Sequence, residues 1–160
     1  MNEIKIMRNL DHPNITCLNE IYETEKSIYL VLDLYKGKSL DQYLDEEGKL
    51  DETKASIILT GVMSGISYLT SKNIMHRDIK LQNILFKKKE KKLSTQNLII
   101  VDFGLAQYEK DEKYIYTRCG TPGYVAPEVL KAKDPKSRYT CACDVFSAGI
   151  LLHLLYFLFY

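Results

Sequence analysis

From Val145 to Tyr160 the chain carries no Asp, Glu, Lys or Arg, and this stretch restricts the possible folds more than any other. A helix that is apolar on every side must be surrounded, by lipid or by the bulk of a sizeable domain. A membrane span takes about 20 apolar residues, so a run this short is expected at the centre of a large domain. Asp144 stands at its head, where a carboxylate accepts amide hydrogens that the first turn leaves unpaired.

The densest chemistry lies upstream, in His76-Arg77-Asp78-Ile79-Lys80-Leu81-Gln82-Asn83. An aromatic base, a carboxylate, an ammonium and an amide sit there between two apolar segments. Ile84-Leu85-Phe86 reads as a short buried strand that anchors the stretch. Leu98-Ile99-Ile100-Val101 is a second β-branched run, and it delivers Asp102-Phe103-Gly104 at its end. Two strand ends thus present acidic or amide groups.

Ile4, Met7 and Leu10 fall at helical spacing, and Asp11-His12-Pro13 closes that helix. Ile15 to Tyr22 and Ile28 to Leu34, on either side of Glu23-Thr24-Glu25-Lys26, predict a hairpin. Ser39 caps a short helix through about Asp45, and Asp51 or Thr53 begins a longer one whose apolar stripe runs from Ala55 through Ile58, Val62 and Ile66 to Leu69. Within that helix Gly61 and Gly65 read as ordinary small contact residues. Lys87-Lys88-Lys89-Glu90-Lys91-Lys92 reads as a solvated, lengthened hairpin tip.

With 46% hydrophobic residues the chain can build one core, and a net charge of +1 gives no global reason to expect nucleic acid, a membrane surface or an acidic partner. Cys17, Cys119, Cys141 and Cys143 show no metal-ligand spacing, which points to reduced thiols in a cytosolic protein. No charged-then-apolar leader opens the chain, so a cytoplasmic location is expected.

Two further blocks complete a pattern: Gly120-Thr121-Pro122-Gly123-Tyr124-Val125-Ala126-Pro127-Glu128 and Asp144-Val145-Phe146-Ser147-Ala148-Gly149. In this order and spacing the four motifs resemble the catalytic half of a eukaryotic protein kinase of the serine/threonine type, from about Asn2 to about His153. The resemblance implies an α+β, two-lobe fold. Residues 1–35 would form a partial β-rich small lobe, with the end of one helix and two strands. Residues 36–160 would form the connecting segment and a mainly α-helical large lobe, truncated after its central helix.

It also implies transfer of the ATP γ-phosphate to protein hydroxyls, with Mg2+ as cofactor. Asp78 would be the proton acceptor, Lys80 would lie beside the transferred phosphate, and Asn83 and Asp102 would supply oxygen ligands to the metal. Thr121 would bridge Asp78 and Lys80, and the lysine two residues after Asp78 marks serine/threonine rather than tyrosine kinases. For the nucleotide, Leu32 would guard the back of the adenine pocket, the Asp33 carbonyl and Tyr35 amide would bond the adenine edge, and Leu85 would join them. Gly37 would free the backbone between lobes, and Gly104 would let the chain turn after the metal ligand. Glu3 takes the place of the glutamate that pairs with an upstream strand lysine. Thr117 takes that of an activating phosphorylation site, with Arg77 available to the added charge. His76 would pack beneath Phe103 rather than act as a base, forming an apolar column with Met7 and Leu18. Asp144 would hold the backbone of the His76-Arg77 loop.

The Cys-Gly-Thr-Pro-Gly-Tyr run looks most like the calcium- and calmodulin-regulated branch. The chain departs from the family pattern at Leu81, where proline is usual, and at Gln107, where a second cation is usual. The glycine-rich phosphate loop and the strand lysine do not occur in this sequence, so the chain alone is expected to be an inactive fragment. The rival reading is a non-catalytic, kinase-like binding module, against which stands an intact set of catalytic residues.

Overall fold

The computed structural model describes residues 2–89, 93–111, 117–132, 134 and 137–157. The last three residues of the charge-free run and residues 90–92 of the lysine-rich run lie outside the described residues. A short helix α1 (Asn2–Met7) leads to a hairpin of β1 (Leu18–Glu23) and β2 (Ile28–Leu32). Helices α2 (Leu40–Glu47) and α3 (Glu52–Ser71) follow, then β3 (Ile74–Met75), β4 (Ile84–Phe86), β5 (Leu98–Ile100) and β6 (Gln107–Tyr108). Helices α4 (Pro127–Lys131) and α5 (Ala142–Phe157) complete the order.

The strands form three antiparallel pairs, β1 with β2, β3 with β6 and β4 with β5. The first pair is shorter than the sequence pattern predicts. Its missing start is used elsewhere: the Thr16 amide donates to Ile100 O at 3.0 Å and the Ile100 amide to Asn14 O at 2.8 Å. Residues 14–16 therefore attach to β5 and tie the start of the hairpin strand to the large lobe.

Asp51 caps α3, its carboxylate accepting from the Lys54 amide at 2.8 Å, and the predicted stripe is buried in the main core. Gly61 and Gly65 are more than ordinary contacts. A Cβ on Gly61 would lie 2.9 Å from Leu98 Cδ1, and one on Gly65 2.7 Å from Ile100 Cδ1. These two glycines let the helix lie directly on β5.

Helix α5 packs chiefly on α3. The expectation of burial on all sides holds only for the face carrying Asp144, Ala148, Leu151 and Leu155. Val145, Phe146 and Phe157 are exposed, because packing on α3 covers one face of a helix that is apolar all round. Among the described residues no helix is long and apolar enough to cross a membrane. A second, smaller cluster gathers Met75, Val129, Tyr139, Cys141 and Cys143 beneath α4. All four cysteines are unpaired thiols. Burial pushes the Cys141 thiol up to about 12 and raises that of Cys143 as well.

Candidate active site

The site is built around residues 76–83, which have almost no regular structure of their own. Their backbone is held from α5: Asp144 Oδ2 accepts the His76 amide at 2.6 Å and Oδ1 the Arg77 amide at 2.8 Å. Burial raises the Asp144 carboxyl, while His76 and these two amides pull the other way. Arg77 adopts φ 67°, a left-handed conformation that few side chains tolerate. Gly120 lies against it, at φ 107°, where a Cβ would come within 2.8 Å of Arg77 O.

His76 is committed on both ring nitrogens. Nδ1 accepts the Asp78 amide at 3.2 Å, which assigns the proton to Nε2, and Nε2–H donates to Val101 O at 3.0 Å. Phe103 meets the ring edge-on, with centroids 4.8 Å apart at 67°. Met7 and Phe103 lie in the main core, and Leu18 packs against it.

The Asp78 carboxylate is the meeting point. Lys80 Nζ lies 2.7 Å from its Oδ2, and Thr121 Oγ1 donates to its Oδ1 at 2.6 Å. Lys80 Nζ also donates to Thr121 Oγ1 at 2.9 Å, which closes a triangle. Asn83 Nδ2 donates to Asp78 O at 2.9 Å and to Oδ2 at 3.1 Å. Burial acts to raise the Asp78 carboxyl, but the hydrogen bonds of Lys80 and Thr121 and the charge of Lys80 together outweigh it. Its pKa is held below the ordinary aspartate value.

The β4–β5 ladder continues past its last strand residues, the Val101 amide donating to Asn83 O at 3.0 Å. Asn83 and Asp102 are therefore carried by adjacent strand ends. Both Asn83 bonds to Asp78 use the amide nitrogen, so its amide oxygen is the atom with lone pairs to offer a cation. The sharp turn is made by Asp102 itself, at φ 65°, and not by Gly104, whose amide donates to Asp102 Oδ1 at 3.2 Å. Among the described residues no three His, Cys, Asp or Glu side chains cluster as a metal cage. Two oxygen ligands suit magnesium, which binds through one or two side chains and completes its sphere with phosphate and water. Glu3 on α1 is half-buried with its carboxyl raised by that burial and by the charge of Asp102, so the helix faces the turn at Asp102.

In the connecting segment, the Asp33 carbonyl and the Tyr35 amide take no backbone partner among the described residues, whereas the Lys36 amide donates to Lys87 O at 3.1 Å. Gly37 is needed for space rather than for freedom of φ: a Cβ there would stand 2.1 Å from Phe86 O. Leu32 is exposed, and Leu85 sits in β4 opposite Ile99.

Arg77 has a partner that the sequence does not suggest. Its Nη1 donates to Tyr139 Oη at 3.0 Å and its Nε to Leu105 O at 2.7 Å. Tyr139 is buried, and Cys119 Sγ lies 3.8 Å from the same hydroxyl. The one available signal was an aromatic residue five positions before Asp144 in an otherwise polar stretch. Thr117 is half-buried two residues before Cys119.

Residues 1–158 match the protein kinase domain family, and the chain belongs to that family. It is 45% identical over 155 residues to calcium-dependent protein kinase 3 of Plasmodium yoelii yoelii, covering 96% of this chain and 27% of that protein. It is 40% identical over 154 residues to serine/threonine-protein kinase DCLK3 of Mus musculus, covering 96% of this chain and 18% of that protein. Against calcium/calmodulin-dependent protein kinase type 1 of Macrobrachium nipponense it is 38% identical over 154 residues, or 96% of this chain and 42% of that protein. The chain thus spans less than half the length of each of these relatives.

Proposed function

We propose that this protein transfers the γ-phosphate of ATP to serine or threonine hydroxyls of a protein substrate, with Mg2+ as cofactor. The observation that carries this reading is the closed triangle of Asp78, Lys80 and Thr121. A carboxylate held ionised at neutral pH can orient the substrate hydroxyl and accept its proton as oxygen bonds to the γ-phosphorus and ADP departs. The Lys80 ammonium next to it offsets the charge gathering on the transferred group. Asn83 and Asp102 would hold magnesium, which when bound spreads the phosphate charge. The unpaired Asp33 carbonyl and Tyr35 amide would meet the adenine edge, with Leu32 and Leu85 on the ring. Relatives whose names carry calcium and calmodulin support a calcium-linked control of the whole protein.

Phosphorylation of Thr117 belongs to the same proposal, with a condition attached. Arg77 already serves Tyr139 and Leu105, so a phosphate would have to share or displace those partners.

The test is the full-length protein with Mg2+ and labelled ATP on serine, threonine and tyrosine peptides, with and without calcium and calmodulin. Serine or threonine labelling that calcium stimulates is expected, with phosphate at Thr117 by mass spectrometry. Asp102→Ala should weaken Mg2+-dependent nucleotide binding. No transfer to any peptide, together with nucleotide binding indifferent to Mg2+, would instead identify a non-catalytic module.

A further inference from the structure

A cleft of about 560 Å³ opens on the large lobe behind the connecting segment, and none of residues 76–83 lines it. One side is apolar, formed by Tyr43, Phe86 and Leu93, with the Tyr43 and Phe86 rings 4.9 Å apart. Six of the other lining residues are charged, and the charges do not balance. Lys38 pairs with Glu46, and Lys54 Nζ lies 2.9 Å from Glu47 Oε2, which neutralises four of the six charged side chains at the rim. The remaining two, Lys88 and Lys89, are exposed and have no acidic partner among the described residues.

This cleft is held rigidly from below. The Phe86 amide donates to Lys38 O at 2.8 Å, which fixes the connecting segment to β4. Asn97, buried at the start of β5, accepts the Lys88 amide on Oδ1 at 3.0 Å and donates Nδ2 to Lys88 O at 3.3 Å. The backbone of Lys88 is therefore pinned on both its amide and its carbonyl, although Lys88 and Lys89 stand at a hairpin tip. A solvated charge run needs no such support, and it needs no apolar wall beside it.

We propose that the cleft is a docking site for an acidic protein segment that carries one aliphatic or aromatic anchor. The anchor would seat against Tyr43, Phe86 and Leu93 while its acidic neighbours meet Lys88 and Lys89. Charge complementarity selects this occupant over a polyanion. Nucleic acid binding gains affinity by neutralising many phosphates at once, whereas among the described residues this rim offers two ammonium groups without an acidic partner, on a chain of net charge +1. The proposal concerns binding away from the phosphotransfer site, so it stands or falls independently of the kinase reading.

The experiment uses the purified full-length protein and a short fluorescein-labelled peptide, rich in Asp and Glu around one leucine, followed by fluorescence anisotropy. Saturable binding that weakens as salt rises is expected. Lys88→Glu with Lys89→Glu, both at exposed positions, should weaken it roughly tenfold or more, since the two contacts become repulsions. Leucine→Ser in the peptide should produce a loss of similar size with no change to the protein. Equal binding to the double variant, equal binding of the serine peptide, or displacement by a single-stranded oligonucleotide at lower concentration than by unlabelled peptide would each overturn the proposal.

Discussion

The catalytic loop and the β1–β2 hairpin are ordered in opposite ways. The hairpin pairs neighbours in sequence along an antiparallel ladder, with one register shift between Leu18 and Glu20, yet Tyr29 near its turn is 58% exposed. Residues 76–83 have almost no ladder, yet Asp78 is only 8% exposed. What fixes the loop is a set of buried and half-buried polar bonds to remote parts of the chain, from Asp144, Val101 and Thr121. Regular secondary structure and a well-determined position are thus separate properties. In this molecule the chemistry sits where position is secured by side chains, because a low-dielectric setting strengthens each of those bonds.

Substitutions should separate the two regions sharply. Asp78→Asn keeps the shape and removes the proposed proton acceptor, so turnover of the full-length protein should fall about 10²- to 10⁴-fold with little change in circular dichroism. Turnover at the parental rate would break the assignment. Asp144→Ala leaves the His76 and Arg77 amides buried without an acceptor, and a loss of about 3 kcal/mol in urea unfolding is expected. Stability within error of the parent would mean the loop is held by something else.

A subtler effect is expected from Thr121→Val, which removes one donor to Asp78. A carboxyl whose folded pKa is depressed contributes fully above its unfolded value, and that contribution is lost as pH falls through the folded pKa. Without the Thr121 hydroxyl the folded pKa should rise, moving the acid limb of activity toward neutral pH. The carbon-13 shift of the Asp78 carboxyl, titrated by NMR, reads this directly. Least affected should be Tyr29→Ser in the hairpin, which should stay within about 0.5 kcal/mol of the parent. A loss of several times that would show that the hairpin is braced after all.

The grouping of the candidate site residues was more legible in the sequence than the packing. Asp78, Lys80, Asn83, Asp102 and Thr121 stood out because short motifs force unusual residue types together, and four of the five meet at the Asp78 carboxylate. Helix starts at Ser39 and Asp51 were equally readable from their capping residues. What pattern could not supply was long-range pairing. The attachment of residues 14–16 to β5 shortens the hairpin, and nothing in an alternating run says which strand it will join. Gly37 suggests backbone freedom and Gly61 and Gly65 ordinary small contacts, whereas all three are required by the nearness of other atoms. Tyr139 escaped notice because its role depends on an arginine 62 positions away.

The unpaired thiols offer a clock on the opening of the molecule. Alkylation proceeds through the thiolate, so exposed Cys17 should react promptly and half-buried Cys119 more slowly. Cys141 and Cys143 lie at the start of α5, beside the Asp144 carboxylate that holds the catalytic loop, and burial suppresses both of their thiolates. They can be alkylated only in the moments when that end of the helix comes away. Their labelling rate therefore counts how often the catalytic loop loses its anchor under native conditions, an interval that neither unfolding curves nor turnover numbers resolve.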